Sequence, residues 1–426
     1  MIRTRFAPSP TGSLHIGGLR TAMFNAMYAK KHGGTFVLRV EDTNQSKLKD
    51  SGIIEGLTWA GIVPDEGAYI SENSNIYFQN NRGHIYKEYL DILISKDLAY
   101  KKDGITRFRA SSFGKISFTD MIGGKQSLDF ENLQKQPGAS DDWSADFPIQ
   151  REDGTFLFNF ANVVDDIDMN ITHVIRGEDH LSNTVRHIAL FKAFDKTPPV
   201  FAHIPLILNP DGSKMSKSTN GAAVDFYSAN KYIPGALKNY LSAMSWVPKT
   251  AVKDIFDVFD AKTLNEFDLN KISPRNAKYD QVKLNAINGS YIRKMSDSDY
   301  LEWSAETQFT KSVLLTRGKV KTHSEIKGWL KPLYENCGIS NNADVSDITD
   351  WSVDGIKNTL TTWAAGDKDK LSLRVRDLQM SLTGSNASIS IYNIMAELGE
   401  TEVKSRLTEL KVPDFQKSQN DITQTL

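Results

Sequence analysis

The chain has 426 residues, 40% of them hydrophobic and 24% charged, with a formal net charge of −1. At roughly 100–200 residues per domain this length implies about three domains, and near-neutrality leaves only a local patch to hold any nucleic acid. The start of the chain has no apolar secretory core, no run approaches the ~18–20 apolar residues of a membrane span, and the single cysteine, Cys337, excludes an intrachain disulfide or a zinc site with two or more cysteines, so a reduced, cytoplasmic setting without a membrane partner is expected.

Ile2 to Phe6 is predicted as a short strand, Pro8 to Gly12 as a turn-rich loop, and Leu19 to Lys31 as a helix with Leu19, Met23 and Met27 at four-residue spacing. Gly33-Gly34 stops that helix, and the β-branched and aromatic run Thr35 to Val40 is a second strand ending in Glu41-Asp42. This is a βαβ unit, which builds a parallel sheet with ligands beyond the carboxyl ends of its strands. Helices are expected at Ile53 to Ala60 and Tyr77 to Ser95. From Tyr100 to Trp143 the pattern breaks into short strand-like pieces, including Thr106 to Arg109 and Lys115 to Phe118, and reads as an insertion folded on its own. A second α/β segment follows: a helical run through Ala161 to Val164, a strand His173 to Arg176, a helix Asn183 to Phe194, and a strand Val200 to Leu208. Beyond Asp225 the strands fade and helices fill the rest. Lys271 to Lys331 carries twelve Lys/Arg against six Asp/Glu, which on its own reads as a solvated basic helical surface.

Two loops carry chemistry. In Ala7-Pro8-Ser9-Pro10-Thr11-Gly12-Ser13-Leu14-His15-Ile16-Gly17-Gly18, a strand hands over to a helix, where backbone N–H groups receive phosphates. Gly17 and Gly18 would let a base or ribose approach the backbone without a Cβ in the way, and His15 can donate to a phosphate oxygen. In Asn209-Pro210-Asp211-Gly212-Ser213-Lys214-Met215-Ser216-Lys217-Ser218, two lysines three apart follow a strand, and could neutralise developing pyrophosphate charge. Alone, each reads more simply as a turn.

Together they resemble the HIGH loop (His15-Ile16-Gly17-Gly18) and the KMSKS loop (Lys214 to Ser218) of class I aminoacyl-tRNA synthetases. The second matches at every position; the first departs at Gly18, where the class has histidine, as the glutamyl subgroup commonly does. Longer runs are similar to bacterial-type glutamyl-tRNA synthetases: Arg5 to Gly12, Leu38 to Thr43, Phe160 to Asp166, Thr172 to Ser182, and Tyr291-Ile292-Arg293. The resemblance covers residues 2 to about 300 and continues weakly to Leu382-Thr383-Gly384 and Glu397-Leu398-Gly399.

The resemblance implies an α/β fold: a Rossmann-like nucleotide-binding catalytic domain with an inserted acceptor-binding subdomain, then an α-helical tRNA- and anticodon-binding region. The expected boundaries are 1–98 and 146–225 for the catalytic halves, 99–145 for the insert, 226–300 for a helical stem-contact domain and 301–426 for the anticodon region. The implied activity joins L-glutamate to tRNA(Glu), with ATP and Mg²⁺ as the substrate complex and glutamyl-adenylate as intermediate; tRNA(Gln) is a second candidate tRNA, and a monomer is the family expectation. His15, Lys214 and Lys217 are the implied catalytic residues. ATP would be bound by Pro8, Thr11, Gly12, His15, Gly17, Gly18, Lys214, Met215, Ser216, Lys217 and Ser218. Glutamate would be held by Arg5, Ala7, Ser9, Glu41, Phe158 and Arg176, with the arginines on its carboxylates and Glu41 on its ammonium. Phe158 and Asn159 stand where the family usually has tyrosine and commonly histidine, and Asn44 where aspartate is common. Some relatives hold zinc through cysteines in the insert; Tyr100, Lys101 and Lys102 leave no such site here. A glutaminyl enzyme, a short glutamyl-queuosine-type enzyme and a non-catalytic tRNA-binding paralogue are the rival readings.

Overall fold

β1 (Arg3–Phe6) lies in the middle of a parallel sheet with spatial order β10 (Val200–Ile204), β9 (His173–Gly177), β1, β2 (Thr35–Leu38), β3 (Glu66–Gly67). The structure is a computed structural model that describes residues 1–10, 12–43, 52–70, 72–130, 145–215, 221–252, 255–338, 343–385 and 389–408. From β1 the chain winds one way through β2 and β3, and it later fills the other side with β9 and β10. Strand order therefore reverses between β1 and β9, which opens a crevice beyond their carboxyl ends. A parallel sheet of this kind needs helices over its faces. Helix α1 (Ile16–Lys31) provides one, with Ile16, Leu19, Met23, Phe24 and Met27 all buried. It begins one turn earlier than predicted because His15 caps it: His15 Nδ1 accepts from the Gly17 N–H at 2.9 Å. Gly34 is obligatory at the α1–β2 turn, since a Cβ there would run into the Ile2 carbonyl oxygen.

Helix α2 (Ile53–Trp59) follows as predicted, and the next helix is shorter than predicted. Two 3₁₀ turns, Ser74–Tyr77 and Gln79–Arg82, precede α3 (Gly83–Ser95). The reason is local: the Gln79 N–H is taken by the Val40 carbonyl at 3.1 Å and the Asn80 N–H by Asp42 Oδ1 at 2.8 Å. Those donors serve the end of β2 instead of an α-helical turn.

The insertion builds its own sheets, β4 (Ala99–Lys102), β5 (Ile105–Phe108) and β8 (Phe147–Gln150) in one, and the hairpin of β6 (Lys115–Asp120) and β7 (Gly124–Asp129) in the other. It is not independent of the main sheet, however. The Met121 N–H donates to the Phe201 carbonyl of β10 at 2.9 Å.

Helices α4 (Phe158–Asp168) and α5 (Leu181–Ala193) flank β9 in the chain. The single strand expected over Val200 to Leu208 is two. β10 stops before Pro205, which has no N–H to donate, and β11 (Ile207–Leu208) pairs with β12 (Ala277–Lys278). Between β11 and β12 come α6 (Val224–Ala229), α7 (Pro234–Ala243) and α8 (Ala261–Glu266), and α9 (Gln281–Ile292) follows.

The chain divides into two compact units, Met1–Ile287 and Asn288–Leu426. The second is helical among its described residues: α10 (Asp297–Ser304), α11 (Thr310–Thr316), α12 (Glu325–Tyr334), α13 (Val353–Ala364), α14 (Lys368–Thr383) and α15 (Ile391–Thr408), the last interrupted at Gly399. Ser296, Ser352 and Asp367 cap α10, α13 and α14 with their side chains. Leu330, Ile356, Leu360, Leu378, Leu382 and Ile394 make its core. The buried Arg406 closes α12 by donating to the carbonyls of Pro332, Leu333 and Glu335.

A buried ionic network runs through the first unit. Asp166 of α4 accepts from Arg5 Nε at 3.2 Å and Arg39 Nη1 at 2.7 Å. Asp165 accepts from Arg82 Nε at 2.6 Å, Gln79 Nε2 at 2.7 Å and the Tyr86 hydroxyl at 3.0 Å, with Arg39 Nε 3.5 Å away. Removing one partner of such a set leaves buried charges unpaired. Asp165→Ala should therefore lower the unfolding free energy by about 3–5 kcal/mol in urea titration. A loss below about 1 kcal/mol would mean that Arg39 and Arg82 find other partners.

Candidate active site

A cavity of about 790 Å³ opens where the strand order reverses. Arg5, Ala7, Pro8, Ser9 and Gly12 reach it from β1 and the loop after it, and His15, Gly17 and Gly18 from the start of α1. Glu41 arrives from beyond β2, Phe158 from the first turn of α4, Arg176 from the end of β9, and Lys214 and Met215 from beyond β11. The remaining sequence-predicted residues, Thr11, Ser216, Lys217 and Ser218, lie outside the described residues, as does Asn44.

The two motif loops meet through backbone. The Ile16 N–H donates to the Ala222 carbonyl and the Val224 N–H to the Leu14 carbonyl, both at 2.8 Å. The segment just after the second loop is thus stitched to the first. Because His15 Nδ1 accepts the Gly17 N–H, the neutral ring carries its proton on Nε2, as a donor. The two glycines, which line the cavity, are also required by the protein's own packing. A Cβ at Gly17 would stand 3.2 Å from His15 Nδ1, and one at Gly18 3.1 Å from Leu14 Cδ1, so the protein's own side chains take that space.

Lys214 is held back by a carboxylate. Its Nζ lies 2.9 Å from Asp179 Oδ2, with the lysine side chain 60% exposed. Burial pulls the Asp179 carboxyl upward most strongly, but the Lys214 hydrogen bond and the charges of His180 and Lys214 together outweigh it and keep the group below its ordinary range. A pair this exposed is weak and can be exchanged for another anion.

Three charged groups, Arg5, Arg176 and Glu41, line the cavity with buried side chains. Arg5 is buried and spends Nε and Nη2 on Asp166. Arg176 is buried too, yet makes no ion pair among the described residues: Nε donates to His203 Nε2 at 3.3 Å, and Nη2 to Thr184 Oγ1 at 2.8 Å and the His180 carbonyl at 3.2 Å. Burial, with Arg5 nearby, pulls it down to about 9. A guanidinium so placed lowers its energy by gaining an anion. Glu41 accepts from Asn162 Nδ2 and lies 3.8 Å from Arg39 Nη2. Burial pushes it up to about 7 against the pull of Arg39 and Arg5. The Phe158 ring lies 5.6 Å from His180 and 5.8 Å from His187, centroid to centroid, and the neighbouring Asn159 Oδ1 is 3.1 Å from His187 Nε2. Burial, with Arg176 adding to it, depresses both histidines, His180 to about 4.

The family model for the catalytic domain of class I tRNA synthetases (E and Q) matches residues 1–110 and 104–286, and an anticodon binding domain model matches residues 340–411. The chain belongs to the class I tRNA synthetases. It is 37% identical to a glutamate–tRNA ligase of Methylacidiphilum infernorum, covering 96% of this chain and 98% of that one. It is 43% identical to the glutamate–tRNA ligase of Akkermansia muciniphila over 68% of this chain and 66% of that one. The glutamate–tRNA synthetase structure from Elizabethkingia anophelis is similar at a TM-score of 0.81 and 25% identity, covering 95% of this chain and 98% of that one.

Several residues that shape this synthetase's cavity had no role in the sequence reading. Asp165, Asp166 and Asn162 lie in a run that the resemblance singled out, but nothing in one sequence says that Asp166 orients Arg5 and Asn162 holds Glu41. Asp179 and His180 were likewise quoted only as part of a run. Arg39 was placed in a strand without a partner. Asp120, Thr184 and His203 carried no signal at all, since the bonds that join them to one another span 19 and 83 positions.

A carboxyl held near neutrality has a measurable signature. In carbon-labelled protein one glutamate carboxyl of this synthetase should titrate at about 7, against about 4.3 for an ordinary one, and Glu41→Gln should remove that transition. An ammonium ligand selects the ionised carboxylate, so its affinity should rise with pH up to about 7 and level off above. If every glutamate in the spectrum titrates below about 5.5, burial at Glu41 is weaker than the structure implies.

Proposed function

We propose that this synthetase is a glutamate–tRNA ligase that activates L-glutamate with ATP and transfers it to the terminal adenosine of tRNA(Glu). The observation that carries the reading is the set of three charges in one cavity: Arg5 and Arg176 for two carboxylates and Glu41 for an ammonium. The names of the full-length relatives support it. So does the all-helical described part of the second unit, which speaks against the β-rich end of a glutaminyl enzyme.

In the first step the glutamate α-carboxylate attacks the α-phosphorus of ATP, forming the adenylate and expelling pyrophosphate. In the second, a hydroxyl of the terminal ribose, the 2′-OH in this class, attacks the activated carbonyl and releases AMP. Positioning and charge neutralisation carry both. His15 Nε2–H donates to an α-phosphate oxygen, and its Nδ1 is already engaged, so the proton cannot move to the wrong nitrogen. Lys217 neutralises the leaving pyrophosphate, and Lys214 joins it by exchanging Asp179 for phosphate. Mg²⁺ arrives on ATP. The loop from Pro8 through Gly12 and the backbone at Gly17, Gly18, Met215, Ser216 and Ser218 border the nucleotide, while Ala7, Ser9 and Phe158 border glutamate.

Between the two arginines, Arg176 suits the side-chain carboxylate, because Asp166 already neutralises Arg5. An amide in that place would meet the guanidinium donor against donor. The segment 99–145, between the catalytic halves 1–98 and 146–225, is assigned to the acceptor stem, and after them 226–300 to stem contacts and 301–426 to the anticodon. A monomer acting in the cytoplasm on tRNA(Glu), with tRNA(Gln) as the competing substrate, completes the proposal.

Aminoacylation of both purified tRNAs with labelled glutamate and glutamine tests it. Glutamate should be attached and glutamine rejected by roughly 10⁴-fold or more. Arg176→Ala should lose most glutamate activation and most of that discrimination with the KM for ATP little changed; unaltered rejection of glutamine would move the role to Arg5. A second pair of variants separates folding from chemistry at His15. His15→Asn keeps an acceptor for the Gly17 N–H and should unfold like the parent, yet lose about 100- to 1,000-fold in adenylate formation. His15→Ala should lose activity and also about 1 kcal/mol of stability. Near-parental activation by His15→Asn would remove His15 from the reaction.

A further inference from the structure

Arg176 is aimed by a chain of hydrogen bonds that starts in the insertion. At the tip of the β6–β7 hairpin, Asp120 is 1% exposed. Its Oδ1 accepts three backbone N–H groups, from Gly123 at 2.7 Å, Ile122 at 3.0 Å and His203 at 3.2 Å. Its Oδ2 faces His203 Nδ1 at 2.6 Å. Both oxygens of an ionised carboxylate only accept, so Nδ1 carries the proton and the neutral imidazole keeps a lone pair on Nε2. Asp120 stays ionised, since the bonds from His203 and from the Gly123 N–H together outweigh the upward pull of burial. Burial, the largest influence on His203, keeps its ring neutral against the opposing pull of Asp120.

That lone pair is where the chain reaches the pocket. His203 Nε2 is 2.9 Å from Thr184 Oγ1 and 3.3 Å from Arg176 Nε, and Thr184 Oγ1 accepts from Arg176 Nη2 at 2.8 Å. With the proton on Nδ1, every donor in the set finds an acceptor. With the proton on Nε2, that N–H would oppose the Arg176 Nε–H and turn the guanidinium out of its place.

We propose that Asp120 and His203 are positioning residues for the substrate side chain, acting through Arg176: Asp120 sets the imidazole tautomer, and His203 Nε2, with Thr184, fixes the direction of the guanidinium. This rests on the reading of Arg176 as the group that meets the side-chain carboxylate. Neither Asp120 nor His203 needs to touch substrate, and neither lines the cavity.

The test uses pyrophosphate exchange with tRNA present, measuring KM for glutamate and for ATP separately. His203→Gln keeps an acceptor at the position of Nε2 and should stay within about fivefold of the parent in KM for glutamate. His203→Asn keeps a donor toward Asp120 but does not reach Arg176, and should raise that KM roughly ten- to a hundredfold. Asp120→Asn places an amide NH₂ where an acceptor is required, and should act like His203→Asn. The KM for ATP should move less than about twofold in all three. Thr184→Val preserves volume and, should the histidine variants fail to fold, is expected to raise KM for glutamate alone. If His203→Asn and His203→Gln behave alike, or KM for ATP rises in step with that for glutamate, the residues merely brace the hairpin and the proposal is overturned. The unaltered protein is assayed first. Failure to exchange with glutamate there would overturn the ligase reading itself, whereas parental KM values in the variants would overturn only the role of Asp120 and His203.

Discussion

Two adjacent carboxylates, Asp165 and Asp166, are the constraint on which the first unit depends. Three guanidiniums, those of Arg5, Arg39 and Arg82, are buried beside them, and each takes its direction from one or both. A cluster of this kind is a poor source of net stability, because desolvation consumes most of what the pairing returns. What it does supply is direction. Asp166 holds one edge of Arg5, so the rest of that group faces the cavity. The charge of Arg39, beside Glu41, opposes the burial that would otherwise neutralise it.

The same economy of placement appears at the other end of the cavity. The two loops that bear His15 and Lys214 come from distant parts of the chain, yet backbone hydrogen bonds at Leu14, Ile16, Ala222 and Val224 lock the start of α1 to the exit of the second loop. The start of α1, with His15, therefore sits on a ladder, while the lysine at the entry of that loop remains largely exposed and loosely paired with Asp179. A histidine tied to its helix and a lysine in an exposed ion pair suit a site where one group is pre-oriented and the other answers charge as it develops.

The insertion is joined to this arrangement through β10. Its hairpin tip bonds to Phe201 and His203, one strand away from Arg176 in the sheet. A segment that reads as an appendage in the sequence is, through one carboxylate, a neighbour of the pocket.

Much of this was legible beforehand. Hydrophobic spacing located α1, α2 and α5, β-branched runs located β2, β9 and β10, and the two loops with their flanking runs pointed to the family and to the residues now found around one cavity. Where local reading failed, the cause was a tertiary partner or a missing donor. The first turns before α3 bond to the end of β2, and Pro205 breaks the strand expected to reach Leu208. Sequence alone determined which elements form and which chemistry-bearing residues the chain possesses, because period, caps and short motifs are properties of neighbours. Only the tertiary structure decided which arginine is already neutralised by Asp166 and which has no anion among the described residues, that burial pushes Glu41 up to about 7, and that Asp120 stands behind Arg176, because each depends on burial and on partners separated by up to 161 positions.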